Sequence, residues 1–286
     1  MAPDKETTIT IYAMPGSQFT GKVLAALDAR NINHYCVFVP MRLEERRKVI
    51  PSGGTFVPEM KVTTATTDEK KDDDDGNTDG ENPTIVPDSE DILLWLDDNL
   101  NTNYFPNESA RDISRRASSK QLAGCVWYFN WVDEEGYCRS MKKTMARAML
   151  PSYIPAIASE FIVNLFLGSI KAKYRQLSME ALGVTEEDLM DRSKVLSILR
   201  EELTHFQSHL KADDQQYLLG TDSTAADFSV YAQVERLVGD MGDANVLPSI
   251  PEFKDETPEL GRFWKWYALM RERHPIVFKG KRPPKA

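Results

Sequence analysis

TTITIYAMPGSQFTGKVLAALDARN, residues Thr7 to Asn31, decides the reading of the fold. Ile9 to Tyr12 alternates apolar and polar side chains, the period of a half-buried strand. A Pro15-Gly16 turn follows, and Lys22 to Ala29 carries apolar residues at helical spacing. Ser17, Gln18, Phe19 and Thr20 therefore stand at the mouth of a helix, where unpaired N–H groups and the positive dipole end favour an anion. A hydroxyl there can hold a thiolate. It can equally serve only as the helix cap, a common use of Ser and Thr.

Working outward, Tyr35 to Val39 is a β-branched and aromatic run, so the chain opens β-α-β. Beyond a polar, charged stretch come FVPEMKV (Phe56 to Val62), TIVPDS (Thr84 to Ser89) and the amphipathic DILLWLDDNL (Asp91 to Leu100). The order β-α-β then β-β-α predicts a mixed four-stranded sheet with helices packed on it. Between the last two strands, positions 63–82 hold no large apolar residue, so the segment cannot recover its ordering entropy and reads as a mobile acidic insertion. Asp72 to Asp75 concentrate charge but lack the ligand pattern of a calcium loop.

From Ser109 onward helical patterns take over. Ile113 to Val132 is aromatic-rich, Ile154 to Leu177 is amphipathic, and Thr185 opens a capping-box-like TEED before a periodic run to Leu210. Thr224 and Asp227 give another Thr-x-x-Asp start, with a cap expected to contribute about 1 kcal/mol. Pro258 begins a last helix through Trp264, Trp266 and Tyr267. The expected organisation is α/β plus all-α: one domain over 1–101 and a helical one over 108–286, with the boundary near Asn101 to Glu108.

A net charge of −9 argues against a nucleic-acid partner, which needs a concentrated basic surface. Arg42, Arg46, Arg47 and Lys48 are interleaved with Glu44 and Glu45, the look of a solvated helix face. No apolar run approaches the ~18 to 20 residues of a membrane span, and MAPDKETT lacks the pattern of a secretory signal, so a cytoplasmic location is expected. Cys36, Cys125 and Cys138 form no CxxC pair and read as small buried apolar residues. His205 and His209 are one helical turn apart but without a third ligand, so no metal is expected.

Four segments together resemble the cytosolic glutathione transferase superfamily. IYAMPGSQFTGKVLAAL looks like its first strand, active-site turn and first helix, and FVPEM like the strand ending at its cis-proline. PDSEDILLWL looks like its glutathione-binding turn and third helix, and LLGTDSTAADFSVYAQ like the capping motif of its helical domain. The resemblance implies a thioredoxin-like N-terminal domain that binds glutathione and a helical-bundle C-terminal domain that supplies a pocket for a small apolar electrophile. It places Ser17 where the serine-type classes donate a hydrogen bond to the glutathione sulfur, leaving Thr20 as the cap. Val57, before Pro58, falls where backbone groups pair with the cysteinyl part of the peptide. Asp88 and Ser89 fall on the turn that receives the γ-glutamyl group. On the residues alone Pro58 can be trans or cis, and Ser89 can be only an N-cap.

Phe19, Leu122 and Phe129 are the candidates for the second-substrate pocket, with core packing the competing reading for each. The implied activity is conjugation of the glutathione thiolate to an electrophile, as in detoxification, with glutathione as co-substrate, no metal and a homodimeric assembly. The alternatives are a noncatalytic ligand-binding or interaction protein of the same fold, and a thiol-disulfide or deglutathionylating enzyme. A serine at position 17 opposes the second, because a hydroxyl cannot form a mixed disulfide. PSGGT before Phe56 departs from the family by lacking the Gln or Lys that holds the peptide's glycine carboxylate.

Overall fold

The computed structural model describes residues 6–65, 83–149, 167–211, 215–244 and 246–278. The acidic insertion from 66 on, and the expected helix from 154 to 166, lie outside the described residues.

Strand β1 (Glu6–Ala13) leads into α1 (Gln18–Ala29), then β2 (Tyr35–Phe38), α2 (Leu43–Val49), β3 (Glu59–Ala65), β4 (Thr84–Pro87) and α3 (Ser89–Leu100). The strands form one mixed sheet of order β2-β1-β3-β4, with β1 parallel to β2 and antiparallel to β3, and β3 antiparallel to β4. The β-α-β and β-β-α units of the sequence are both there. Helix α2 is the addition: its LEERRKV has no buried residue, so no apolar periodicity announces it.

Ile9, Ile11 and Ala13 of β1, Met60 and Val62 of β3 and Val86 of β4 pack with α1 and with Ile92, Leu93 and Leu96 of α3. Every residue of α1 from Thr20 to Leu27 is buried, because the helix lies between the sheet and the helical half. Its C-terminal end is tied across by Arg30, which donates to the Thr102 carbonyl (3.0 Å) and the Ser223 carbonyl (2.7 Å). Lys22 is also buried, its ammonium donating to Glu90 at 2.8 Å and to Ser114 at 3.1 Å.

The helical half begins with α4 (Glu108–Ser119) and α5 (Gln121–Trp127), separated at Lys120, whose φ of −118° and ψ of −143° break the single helix that the aromatic periodicity predicts. A π-helical turn (Tyr128–Val132), α6 (Glu134–Arg139) and α7 (Met141–Met149) follow. Next come α8 (Gly168–Leu182), α9 (Glu186–Met190) and α10 (Arg192–Gln207). The run from Thr185 is thus two helices, because Asp191 leaves the helical conformation and accepts from Ser193 and Lys194 as a new cap. Helix α11 (Ala225–Val238) is buried from Ala225 to Leu237 and packs on both α1 and α4, and α12 (Gly261–Arg273) closes the bundle. Among the described residues no helix is long and apolar enough to cross a membrane.

Candidate functional site

Cross-strand register assembles the site. Tyr12 at the end of β1 pairs with Glu59 at the start of β3, and Glu59 pairs with Pro87 at the end of β4. The turn carrying Ser17, the Val57–Pro58 peptide and the turn carrying Asp88 and Ser89 therefore issue from one end of the sheet, side by side.

At the first turn, Gly16 has φ +79°, and a Cβ there would lie 2.6 Å from Val246 Cγ2, so both conformation and space require glycine. Ser17 is the N-cap of α1: its Oγ accepts from the Thr20 N–H at 3.4 Å, and its own N–H donates to the Met14 carbonyl at 3.1 Å. The expected division of labour between Ser17 and Thr20 is corrected here. Thr20 lies inside the helix with its hydroxyl buried and without a partner among the described residues, so the cap belongs to Ser17. Accepting that bond uses an oxygen lone pair, so the Ser17 proton can still be donated elsewhere.

The Val57–Pro58 bond is cis. Pro58 is buried and Val57 half-buried, and among the described residues Val57 enters no backbone hydrogen bond. Phe56 beside it is 82% exposed. At the third turn Asp88, rather than Ser89, caps α3, its Oδ1 accepting from the Glu90 N–H at 2.8 Å. Ser89 is the first residue of the helix and is buried. Asp88 holds φ +66° and ψ 147°, a conformation that L residues rarely adopt and that costs about 1 to 3 kcal/mol. Such outliers cluster where a ligand is clamped.

The second-substrate candidates separate. Phe19 is half-buried in the first turn of α1, but Leu122 and Phe129 are fully buried in the main core, where Phe129 meets Tyr128 edge-on at 4.9 Å. They line no open surface, both being fully buried, with the Arg192 guanidinium of α10 over the Phe129 ring at 5.8 Å.

Other residues near the turns carry no motif. Arg46, expected on a solvated face, is half-buried and donates to the carbonyls of Pro40 (3.0 Å), Met41 (3.0 Å) and Thr55 (2.9 Å), with Met14 Sδ at 3.6 Å. It gathers three loops at the Ser17 turn, and burial lowers its pKa. Among the described residues it has no carboxylate partner. Its interleaving with Glu44 and Glu45 hid this role, because the partners are main-chain carbonyls that no sequence pattern marks. Arg236, buried on α11, donates to the Leu247 carbonyl (3.3 Å) and Ser140 Oγ (2.9 Å), which steadies the segment whose Val246 abuts Gly16. A smaller apolar cluster around Trp131, Tyr137 and Leu167 takes in Met41 from the N-terminal half, with Tyr174 stacked on Trp131 at 4.7 Å and 6°.

The thiols lie apart from these turns. Burial pushes the Cys125 thiol up and Cys36 is buried, while Cys138 is raised by burial and by Glu134.

Residues 170–265 match the family model described as glutathione S-transferase, C-terminal domain. Among solved structures, the chain is similar to the beta-etherase LigF from Sphingobium sp. strain SYK-6, with 18% identity, a TM-score of 0.55, and coverage of 94% of this chain and 97% of that one. A glutathione S-transferase of Ceriporiopsis subvermispora, solved in complex with glutathione, aligns at 18% identity and a TM-score of 0.49 over 94% of this chain and 99% of that one. No curated protein matches the sequence. A thioredoxin-like sheet unit followed by a helical half that matches this C-terminal domain gives the chain the glutathione transferase fold, as its sequence motifs implied.

Proposed function

We propose that this protein binds glutathione at the three aligned turns and transfers its thiolate to a small apolar electrophile. The observation that carries the reading is the register Tyr12, Glu59, Pro87, which brings a hydroxyl at one helix N-terminus, an unpaired backbone edge and a second helix N-terminus to one end of the sheet. Each suits a different part of the tripeptide. Val57's N–H and C=O, without a backbone partner among the described residues, can pair with the cysteinyl backbone as an added strand would. The α3 N-terminus favours the γ-glutamyl carboxylate, while the exposed Asp88 carboxylate suits the amino group beside it. Arg46, with no carboxylate partner among the described residues, gives the peptide's glycine carboxylate the positive neighbour that PSGGT does not supply.

Ser17 then donates to the sulfur. A hydrogen bond to the charged form and the dipole of α1 both lower the thiol pKa from about 8.5, so more nucleophile is present at neutral pH. The electrophile would rest on the apolar side of the turn, near Phe19 and the Met41, Trp131 and Tyr174 cluster.

One observation favours a noncatalytic protein instead: Ser17 is only 8% exposed, with Val246 against the adjoining glycine. Retention on immobilised glutathione and a pH profile of kcat/KM for the parent and Ser17→Ala separate the two. A hydrogen bond to a charged group contributes about 1.5 to 3 kcal/mol, so the variant should lose roughly ten- to a hundredfold in turnover near neutral pH, with little change in affinity and partial recovery at high pH. Binding with no turnover in the parent would favour the noncatalytic protein. No retention at all, or an alanine variant with an unaltered profile, would refute the serine mechanism.

A further inference from the structure

A second cavity lies outside these turns. Between α4 and α10 a cleft of about 640 Å³ is walled by Arg115, Arg116, Lys120, His205 and His209, with Asp112 the one carboxylate on its lining among the described residues. None of the residues assigned to glutathione lines it. On a chain of net charge −9 this concentration of cations and imidazoles is unusual.

The electrostatics within the cleft point one way. Glu202, buried beneath, takes Arg116 in a two-pronged pair (2.7 and 2.6 Å) and so fixes the guanidinium in the wall. Among the described residues the Arg115 side chain has only a distant ion pair, 4.0 Å to Glu90, and Lys120 is exposed. The His205 pKa is lowered by burial and by Arg116, with Glu202 opposing. The His209 pKa is lowered by burial and then by His205, Lys211 and Arg116, all cationic or able to become so. His209 Nε2 is buried and without a hydrogen-bond partner among the described residues. The two rings meet edge-on at 5.1 Å.

We propose that this cleft binds a small soluble ligand through a phosphomonoester group. A dianion with three acceptor oxygens suits the cationic side chains and the two imidazoles, and its charge would offset the positive field that, with burial, opposes protonation of the histidines. The volume falls within the range of small-molecule sites and leaves room beside a phosphate for the rest of an ester. A metal ion suits the cleft less. Among the described residues no three ligating side chains converge, and the arginines and lysine repel a cation.

The test titrates the full chain with phenyl phosphate, inorganic phosphate, and chloride at matched ionic strength, by calorimetry and by NMR of the histidine rings. Phenyl phosphate should bind, move the titrations of His205 and His209 to higher pH, and bind more tightly than inorganic phosphate. Lys120→Ala and His209→Phe should each weaken it about tenfold while leaving glutathione affinity unchanged. The lysine is exposed, so that variant stays informative if the histidine variant misfolds. An equal response to chloride, no shift of either ring at millimolar phosphate, or tight zinc binding without a phosphate response would overturn the proposal.

Discussion

Asp227→Ala tests whether the centre of the helical half is one cap or a shared acceptor. Asp227 is fully buried, and its carboxylate takes four donors: the Leu218 N–H (2.8 Å), the Thr224 N–H (2.9 Å), the Thr224 hydroxyl (3.0 Å) and the Trp266 indole N–H (3.0 Å). The Thr-x-x-Asp motif shows only the Thr224 pair, which by itself contributes about 1 kcal/mol. The structure adds the loop before α11 and an indole from α12. Alanine removes every acceptor at once. The hydroxyl can turn elsewhere, but three N–H groups stay buried and unpaired, at about 1 to 3 kcal/mol each. Partial relaxation and non-additivity bring the expected loss to about 4 kcal/mol. For a chain of this size that is a fall in Tm on the order of 10 °C. Asp227→Asn keeps one acceptor oxygen and turns an NH2 group toward two of the donors, so it should fall between parent and alanine. Denaturant titration followed by far-UV circular dichroism, with Tm by calorimetry, measures both. An alanine variant within about 1 kcal/mol of the parent would refute the shared-acceptor account and leave the simple cap.

Two further outcomes follow from buried charge. Lys22→Met should destabilise by about 3 kcal/mol because it leaves the part-buried Glu90 carboxylate, among the described residues, with only the Ser114 hydroxyl and a distant Arg115, whereas Lys22→Met with Glu90→Leu should recover most of that loss, read as a double-mutant cycle in denaturant. His274, packed against Phe228 with its Nε2 on the Tyr217 hydroxyl at 2.9 Å, has its pKa pushed down to about 4 by burial and by Arg30 and Arg273. The unfolded chain therefore binds its proton first as pH falls, and the stability this residue contributes above pH 6.5 is lost between about 6.5 and 4. Relative to His274→Phe, the parent should lose about 2 to 3 kcal/mol across that window, measured by urea titration at pH 7 and pH 4. A constant difference between the two proteins would contradict the assignment.

Local pattern made much of this protein legible in its sequence. Period-two alternation in Ile9 to Tyr12, helical spacing after Ser17 and the turn chemistry of Pro15-Gly16 are properties of neighbours along the chain, and so are the Thr185 and Thr224 capping boxes. Helix α2 escaped because it buries nothing, and the breaks at Lys120 and Asp191 escaped because apolar periodicity runs across them. Tertiary structure alone decided which groups share a site. The pairing of Tyr12 with Glu59 and of Glu59 with Pro87 joins turns about 30 to 70 residues apart, and no local signal encodes that register. The same holds for Arg46, whose partners are carbonyls of two loops and the sulfur of Met14 in a third, and for Leu122 and Phe129, where a helix read alone leaves pocket lining and core packing both open and the packed bundle buries the side chains completely. The cleft between α4 and α10 exists only because residues 115–120 and 205–209 are brought face to face. A sequence records which side chains carry charge; only packing decides which of them meet across a cavity.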